Sequence, residues 1–135
     1  MVSSTIHVVA ACLLDDQGRL LLVRKRNTRL FMMPGGKPEK GESLAEALKR
    51  ELSEELGWQC NTNALTSLGR FEAPAANEEN ATVVADVFWG HIHQTVLPQA
   101  EIEQLEYVSL KALDSIPLAP LQHIIMPALL VAMEA

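Results

Sequence analysis

The chain has 135 residues, 48% of them hydrophobic and 21% charged, which suits one compact domain over residues 1–135. A domain of this size buries roughly two thirds of its unfolded surface, so it needs neither disulfides nor a structural metal to fold. Its 11 basic and 17 acidic side chains sum to −6, and its aromatics are three Phe, two Trp and one Tyr; the balance excludes a protein that grips nucleic acid polymers through a basic surface or an aromatic platform.

Met1 to Thr5 carries no positive region, so no signal peptide is expected there. Ile6 to Leu14 and Arg19 to Arg24 are apolar runs around the turn signal Asp15-Asp16-Gln17-Gly18, which predicts a largely buried β-hairpin. Leu30 to Met33 is a short strand candidate, and Pro34-Gly35-Gly36 predicts an irregular loop after it. Ser43 with Glu46 forms a capping box and Gly57 stands at a C′ position, which bounds a helix at about residues 44–56. Strands are predicted at Ala64 to Phe71, Ala81 to His93 and Leu105 to Ser109, with a loop from Glu72 to Asn80. Leu118 to Met133 is apolar but shorter than the roughly 20 residues of a membrane span, and reads as a buried helix or helix pair. The expected fold is α/β, a mixed sheet with one central helix and a C-terminal helical element. Cys12 and Cys60 show no disulfide or zinc spacing, so a reducing, cytoplasmic setting is expected.

Six glutamates, Glu39, Glu42, Glu46, Glu51, Glu54 and Glu55, fall within 17 residues around the predicted helix. At roughly 100° per residue, Leu44, Leu48, Leu52 and Leu56 form an apolar stripe. Glu51 and Glu54 flank that stripe, while Glu55 points into it and therefore requires a cation, a hydrogen-bond donor or its own proton. Glu51, Glu54 and Glu55 also stand at i, i+3 and i+4, where like charges repel, and Arg50 is the adjacent cation. Oxygen ligands on a rigid helix suit a hard divalent ion such as Mg²⁺ or Mn²⁺; the alternative is a solvated acidic face.

The stretch Gly36 to Trp58 resembles the Nudix box, G-x5-E-x7-R-E-U-x-E-E-x-G-U with U a bulky hydrophobe, at every fixed position, Trp58 being an unusual choice at the last. The resemblance implies a Nudix-type α/β/α sandwich and metal-dependent hydrolysis of a diphosphate linkage in a nucleoside diphosphate derivative such as a nucleoside triphosphate, nucleotide sugar or dinucleotide. By the same resemblance Glu51, Glu54 and Glu55 hold the metal together with a carbonyl of Gly35 or Gly36, Arg50 orients the glutamates, and Glu42 braces the loop, Gly36 and Gly57 being structural. The proton acceptor is either Glu51 or a loop glutamate, Glu101, which would also touch metal; Glu103 and Glu106 are rivals to Glu101. Two other readings are a catalytically silent nucleotide-binding regulatory module and an isoprenoid diphosphate isomerase, the latter normally requiring a longer chain and a catalytic cysteine.

For a small anionic nucleotide-type substrate, Arg24 and Arg26, which alternation puts on one face, and Lys37 in the box loop are the phosphate-binding candidates. Phe31, Trp89 and Tyr107 are stacking candidates that double as core residues. His91 and His93 share a strand face beside a cleft or at an exposed edge. MutT-like enzymes that read oxidised guanine carry an asparagine after the last strand; Ile116 to Pro120 has no amide there, leaving Gln122 and Asn77 as amide candidates. A homodimer is compatible with the family, and neither a nucleic acid polymer nor a membrane is indicated as a partner.

Overall fold

A computed structural model describes residues 4–75 and 79–134. In chain order the elements are β1 (Ser4–Leu14), β2 (Leu20–Lys25), β3 (Gly35–Gly36), α1 (Leu44–Leu56), β4 (Thr66–Pro74), β5 (Ala81–His91), β6 (Ile102–Val108) and α2 (Pro120–Glu134). Single 3-10 turns stand at Thr62–Ala64 and Leu113–Ser115. The strands join one sheet in the order β4-β5-β1-β2-β6, with β3 on β1. β1 and β5 run parallel from Ser4 against Ala81 to Leu14 against His91, while the other strand pairs are antiparallel.

A strand covered on both faces reads as a continuous apolar run, and Val9 to Leu14 is buried throughout. Its side chains divide by parity. Val9, Ala11 and Leu13, with Leu21 and Val23 of β2, pack against Leu48, Leu52 and Leu56 of α1. Ala10, Cys12 and Leu14, with Leu20 and Leu22, pack against Leu121, Ile125 and Leu129 of α2. The molecule is therefore an α/β/α sandwich with two cores separated by one sheet. Among the described residues, no helix is long and apolar enough to cross a membrane.

The helix bounds agree with the capping signals, and the C-terminal segment is one helix with Pro127 inside it. Other boundaries move. Leu30 to Met33 supplies only isolated bridges, Val23 to Met32 and Phe31 to Leu118. β4 runs on to Pro74, taking residues assigned to a loop, because Glu72, Ala73 and Pro74 pair with Val84, Val83 and Thr82. β6 begins at Ile102, three residues early, since its polar residues face β2 across the ladder.

The Gly35-Gly36 loop is the sharpest departure: it forms a two-residue strand against Ala10 and Val9. Glycine permits this by close approach. A Cβ on Gly35, whose φ is 152°, would fall 2.1 Å from the Val9 carbonyl oxygen. β1 parts from β2 after the pair Leu14 to Leu20, and β3 fills part of the edge so exposed. Gly35→Ala is therefore expected to lower the urea midpoint, by on the order of 2 kcal/mol or more in stability, because both the positive φ and the approach to β1 are lost; equilibrium denaturation followed by circular dichroism measures it.

Candidate active site

The Ser43 hydroxyl accepts from the Glu46 N–H at 3.1 Å, and the Glu46 carboxylate accepts from the Ser43 N–H at 2.8 Å, which starts α1 firmly. Gly57 ends it in the left-handed region, φ 65°, and a Cβ there would stand 2.2 Å from the Gln99 amide nitrogen. Gln99 thus occupies the space a side chain would need, and its N–H donates to the Glu55 carbonyl at 2.9 Å. The turn that follows is tight: Ile102 N–H donates to the Gln99 carbonyl, and Ala100 sits at φ 55°, a strained conformation for a residue with a Cβ. Arg26 holds this turn, its N–H donating to the Glu101 carbonyl at 2.8 Å and its guanidinium to the Ala100 carbonyl at 3.1 Å. Helix end, loop and strand end together fix the backbone of Glu101.

The glutamates of α1 differ in environment. Glu55 is 3% exposed and accepts the Gly35 N–H at 3.0 Å, which meets the need for a partner created by its inward direction. Burial pushes its pKa up to about 8 against that hydrogen bond, and the neighbouring Glu51 carboxylate adds to the rise. Glu51 is largely buried and accepts from Arg50 Nη1 at 3.0 Å; burial raises its pKa too, with Arg50 pulling the other way. Its carboxylate fills the space beside Gly36, where a Cβ would lie 2.3 Å from Oε2. Glu54 is exposed, with both oxygens 3.5 Å from Arg50 Nη1.

Arg50 binds Glu42 through Nε at 2.8 Å and Nη2 at 2.9 Å, and its Nη2 also donates to the Lys37 carbonyl at 3.1 Å. Glu42 accepts the Glu39 N–H at 2.7 Å as well, and with Arg50 beside it the carboxyl is held down to about 2. Loop and helix are thereby joined through one carboxylate and one guanidinium.

A cleft of about 640 Å³ opens over β3. Its charged lining residues are Lys25, Lys37, Arg50, Glu51, Glu54 and Glu101, with Lys25 Nζ 3.5 Å from Glu101. Its apolar lining residues include Ile6, Val8, Met33, Val83 and Leu121, and Gln122 lines it as well. Several sequence candidates stand elsewhere. Arg24 does not line the cleft: its guanidinium donates to the Gln104 side chain and the Thr28 carbonyl. Arg26 serves the Glu101 turn instead. Of the three consecutive basic residues Arg24, Lys25 and Arg26, the one that lines the cleft is Lys25. It was missed because alternation says which residues share a face but not which face bears the site.

Glu103 and Glu106 belong to β6 rather than to the loop, and neither lines the cleft. Phe31 is in the α2-side core, Trp89 packs against that core, and Tyr107 lies under the Arg19 guanidinium; among the described residues none of the three lines the cleft. His91 and His93 stack on each other away from it, His93 bonding Asp16. Gln122 lines the cleft, and Asn77 lies outside the described residues. Cys12 is buried, its thiol pushed up to about 12 by desolvation, and neither it nor Cys60 lines the cleft.

A family model for the NUDIX domain matches residues 5–129. The chain belongs to the Nudix family. A MutT protein from Methanosarcina mazei Go1 has the same fold, with a TM-score of 0.76 and 26% identity over 93% of this chain and 92% of that one. The human 8-oxo-dGDP phosphatase NUDT18 is 40% identical over 65 residues, 46% of this chain and 20% of the relative. A Bacillus subtilis (strain 168) protein provisionally named 8-oxo-dGTP diphosphatase is 29% identical over 96 residues, 71% of this chain. The Nudix chain spans 61% of that relative's length.

Glu55 makes the metal-free Nudix site sensitive to pH in a defined direction. A carboxyl whose folded pKa lies above its usual 4.5 favours the folded state when protonated, so its effect on stability worsens as pH rises from 4.5 towards 8. In EDTA, Glu55→Gln is expected to be more stable than the parent at pH 9, by roughly 2–4 kcal/mol, and to lose that advantage at pH 5; thermal unfolding at the two pH values measures the difference.

Proposed function

We propose that this chain is a divalent-metal-dependent pyrophosphohydrolase that cleaves a phosphoanhydride bond in a nucleoside diphosphate derivative by attack of water on phosphorus. The observation that carries the reading is one cleft in which the carboxylates Glu51, Glu54 and Glu101 stand among the cations Lys25, Lys37 and Arg50, with apolar side chains completing the lining. The names of the relatives, 8-oxo-dGDP phosphatase and 8-oxo-dGTP diphosphatase, support nucleoside di- and triphosphates as the first substrates to assay.

The donor set suits Mg²⁺ or Mn²⁺. Glu51, Glu54 and Glu55 supply only oxygen, and burial raises the pKa of Glu51 and Glu55, so a cation there relieves a cost the fold already bears. Among the described residues no three acidic or histidine side chains converge on one point as they stand, so Glu51, Glu54 and Glu55, with Glu101 and a carbonyl of Gly35 or Gly36, would hold it after their side chains turn towards it. When bound, the ion neutralises the diphosphate and lowers the pKa of the attacking water. Lys25 and Lys37, which line the cleft, carry the charge to receive phosphate oxygens. Arg50 and Glu42 keep the glutamates fixed relative to the box loop. The proton of the water passes to Glu51 or Glu101: Glu51 is the more buried, and burial raises its pKa, while Glu101 is the more exposed. Neither Cys12 nor Cys60 lines the cleft, so the catalytic cysteine that the isomerase reading normally requires is not supplied by either.

Glu54→Gln and Glu55→Gln are each expected to lower kcat at least about 100-fold on nucleoside triphosphates in Mg²⁺ while melting as folded proteins; near-parental turnover in both overturns the reading. Of Glu51→Gln and Glu101→Gln, the variant that loses the acidic limb of the pH profile of kcat identifies the base. Lys25→Ala is expected to raise KM roughly tenfold with a smaller change in kcat, whereas Arg24→Ala leaves both within about twofold.

A further inference from the structure

The carboxylates around the cleft are shared out among groups of the chain itself. Glu51 and Glu54 lie against Arg50, 3.0 and 3.5 Å from Nη1, and Glu55 accepts the Gly35 N–H at 3.0 Å. The carboxylate of Glu101 stands 3.5 Å from Lys25 Nζ. The backbone builds this last meeting. The β2–β6 register slips between Arg24, opposite Gln104, and Lys25, opposite Ile102, and the next N–H, that of Arg26, donates to the Glu101 carbonyl at 2.8 Å. The charge of Lys25 also reaches the helix: burial raises the pKa of Glu51 and of Glu55, and the Lys25 ammonium is among the groups that draw both back down.

The two cations that hold these carboxylates differ in how firmly they are placed. Arg50 is locked, its Nε and Nη2 taken by Glu42 and its Nη2 also by the Lys37 carbonyl. Lys25 is a point charge on a flexible stem, and 3.5 Å is longer than a charge-assisted hydrogen bond, so its pair with Glu101 opens easily. Its side chain is 32% exposed, so water and salt screen it less than a lysine on the open surface.

We infer that Lys25 is the resident counterion of the cleft, pairing with Glu101 and offsetting the charge of Glu51 and Glu55, and that it gives way to a divalent cation and so sets how tightly the chain binds one. The inference rests on the proposed metal-dependent reading of the cleft, and it adds a competition inside it: one ammonium and one divalent ion for the same carboxylate. Two ligands that share one site weaken each other equally, so removing the ammonium strengthens the ion.

The test measures binding of Mn²⁺ alone, without nucleotide, by calorimetry on the whole chain. Lys25→Met keeps the length of the stem and removes the charge, and it is expected to bind Mn²⁺ roughly 5- to 30-fold more tightly than the parent. Lys25→Arg keeps the charge and is expected to stay within about threefold. Lys111→Met removes an exposed charge that does not line the cleft, and is expected to stay within about twofold. In EDTA at low salt, Lys25→Met is expected to melt about 2–5 °C below the parent, and saturating Mn²⁺ to close that gap, which the loss of a packing contact would leave open. Unchanged or weaker Mn²⁺ affinity in Lys25→Met, equal tightening in Lys111→Met, or a melting gap that Mn²⁺ does not close overturns the inference and leaves the hydrolase reading in place. If Mn²⁺ binding tightens as expected but the parent hydrolyses no nucleotide, the inference stands and the hydrolase reading falls. No binding of Mn²⁺ to parent or variant overturns both.

Discussion

One guanidinium makes the box helix tenable. Glu39, Glu42, Glu51 and Glu54 each come within 3.5 Å of Arg50, and without it four carboxylates would face one another across a narrow space. The planar, fixed fork of arginine lets Nε and Nη2 take the two oxygens of Glu42 while Nη1 holds Glu51 and Nη2 reaches the Lys37 carbonyl. Lysine, a single point charge, has no comparable reach. Because the same side chain bonds both the loop before the helix and the helix itself, the carboxylates are presented as a rigid set.

The second constraint is backbone proximity. Gly35 and Gly36 bring β3 against β1, and the missing Cβ atoms leave space for the Val9 carbonyl on one side and the Glu51 carboxylate on the other. Glu55 then meets the Gly35 N–H from within the α1-side core. A helix packed on the sheet by its leucines would normally turn its charges outward; here the glycines allow the carboxylate edge to reach the sheet. The net charge of −6 therefore says little about the site, where Lys25, Lys37 and Arg50 stand among the glutamates.

Much of this was legible in the residues. The capping box and Gly57 bounded α1, the leucine spacing set its buried face, and the inward direction of Glu55 follows from the same arithmetic. Gly57 already marked a helix end, but its second use, leaving room for Gln99 and so for the loop that ends at Glu101, depends on residues more than forty positions away. The division of cations was not legible: Arg24, Lys25 and Arg26 are equivalent by charge, and only the register of β2 against β6, with its bulge between Arg24 and Lys25, separates them. Met33 and Val83 read as ordinary core residues because a cleft and a core are lined by the same apolar types.

The sequence alone determined the local quantities: the helix and its caps, the run of oxygen donors on it, the apolar strands buried on both faces, and the family, since each depends on residues within a few turns of one another. The tertiary structure decided which distant groups meet them. Whether a basic residue points into the cleft or along the rim, and whether Glu101 or Glu103 stands near the helix, are set by strand register and by loops closing between elements, and hydrophobic patterning carries no record of those long-range contacts.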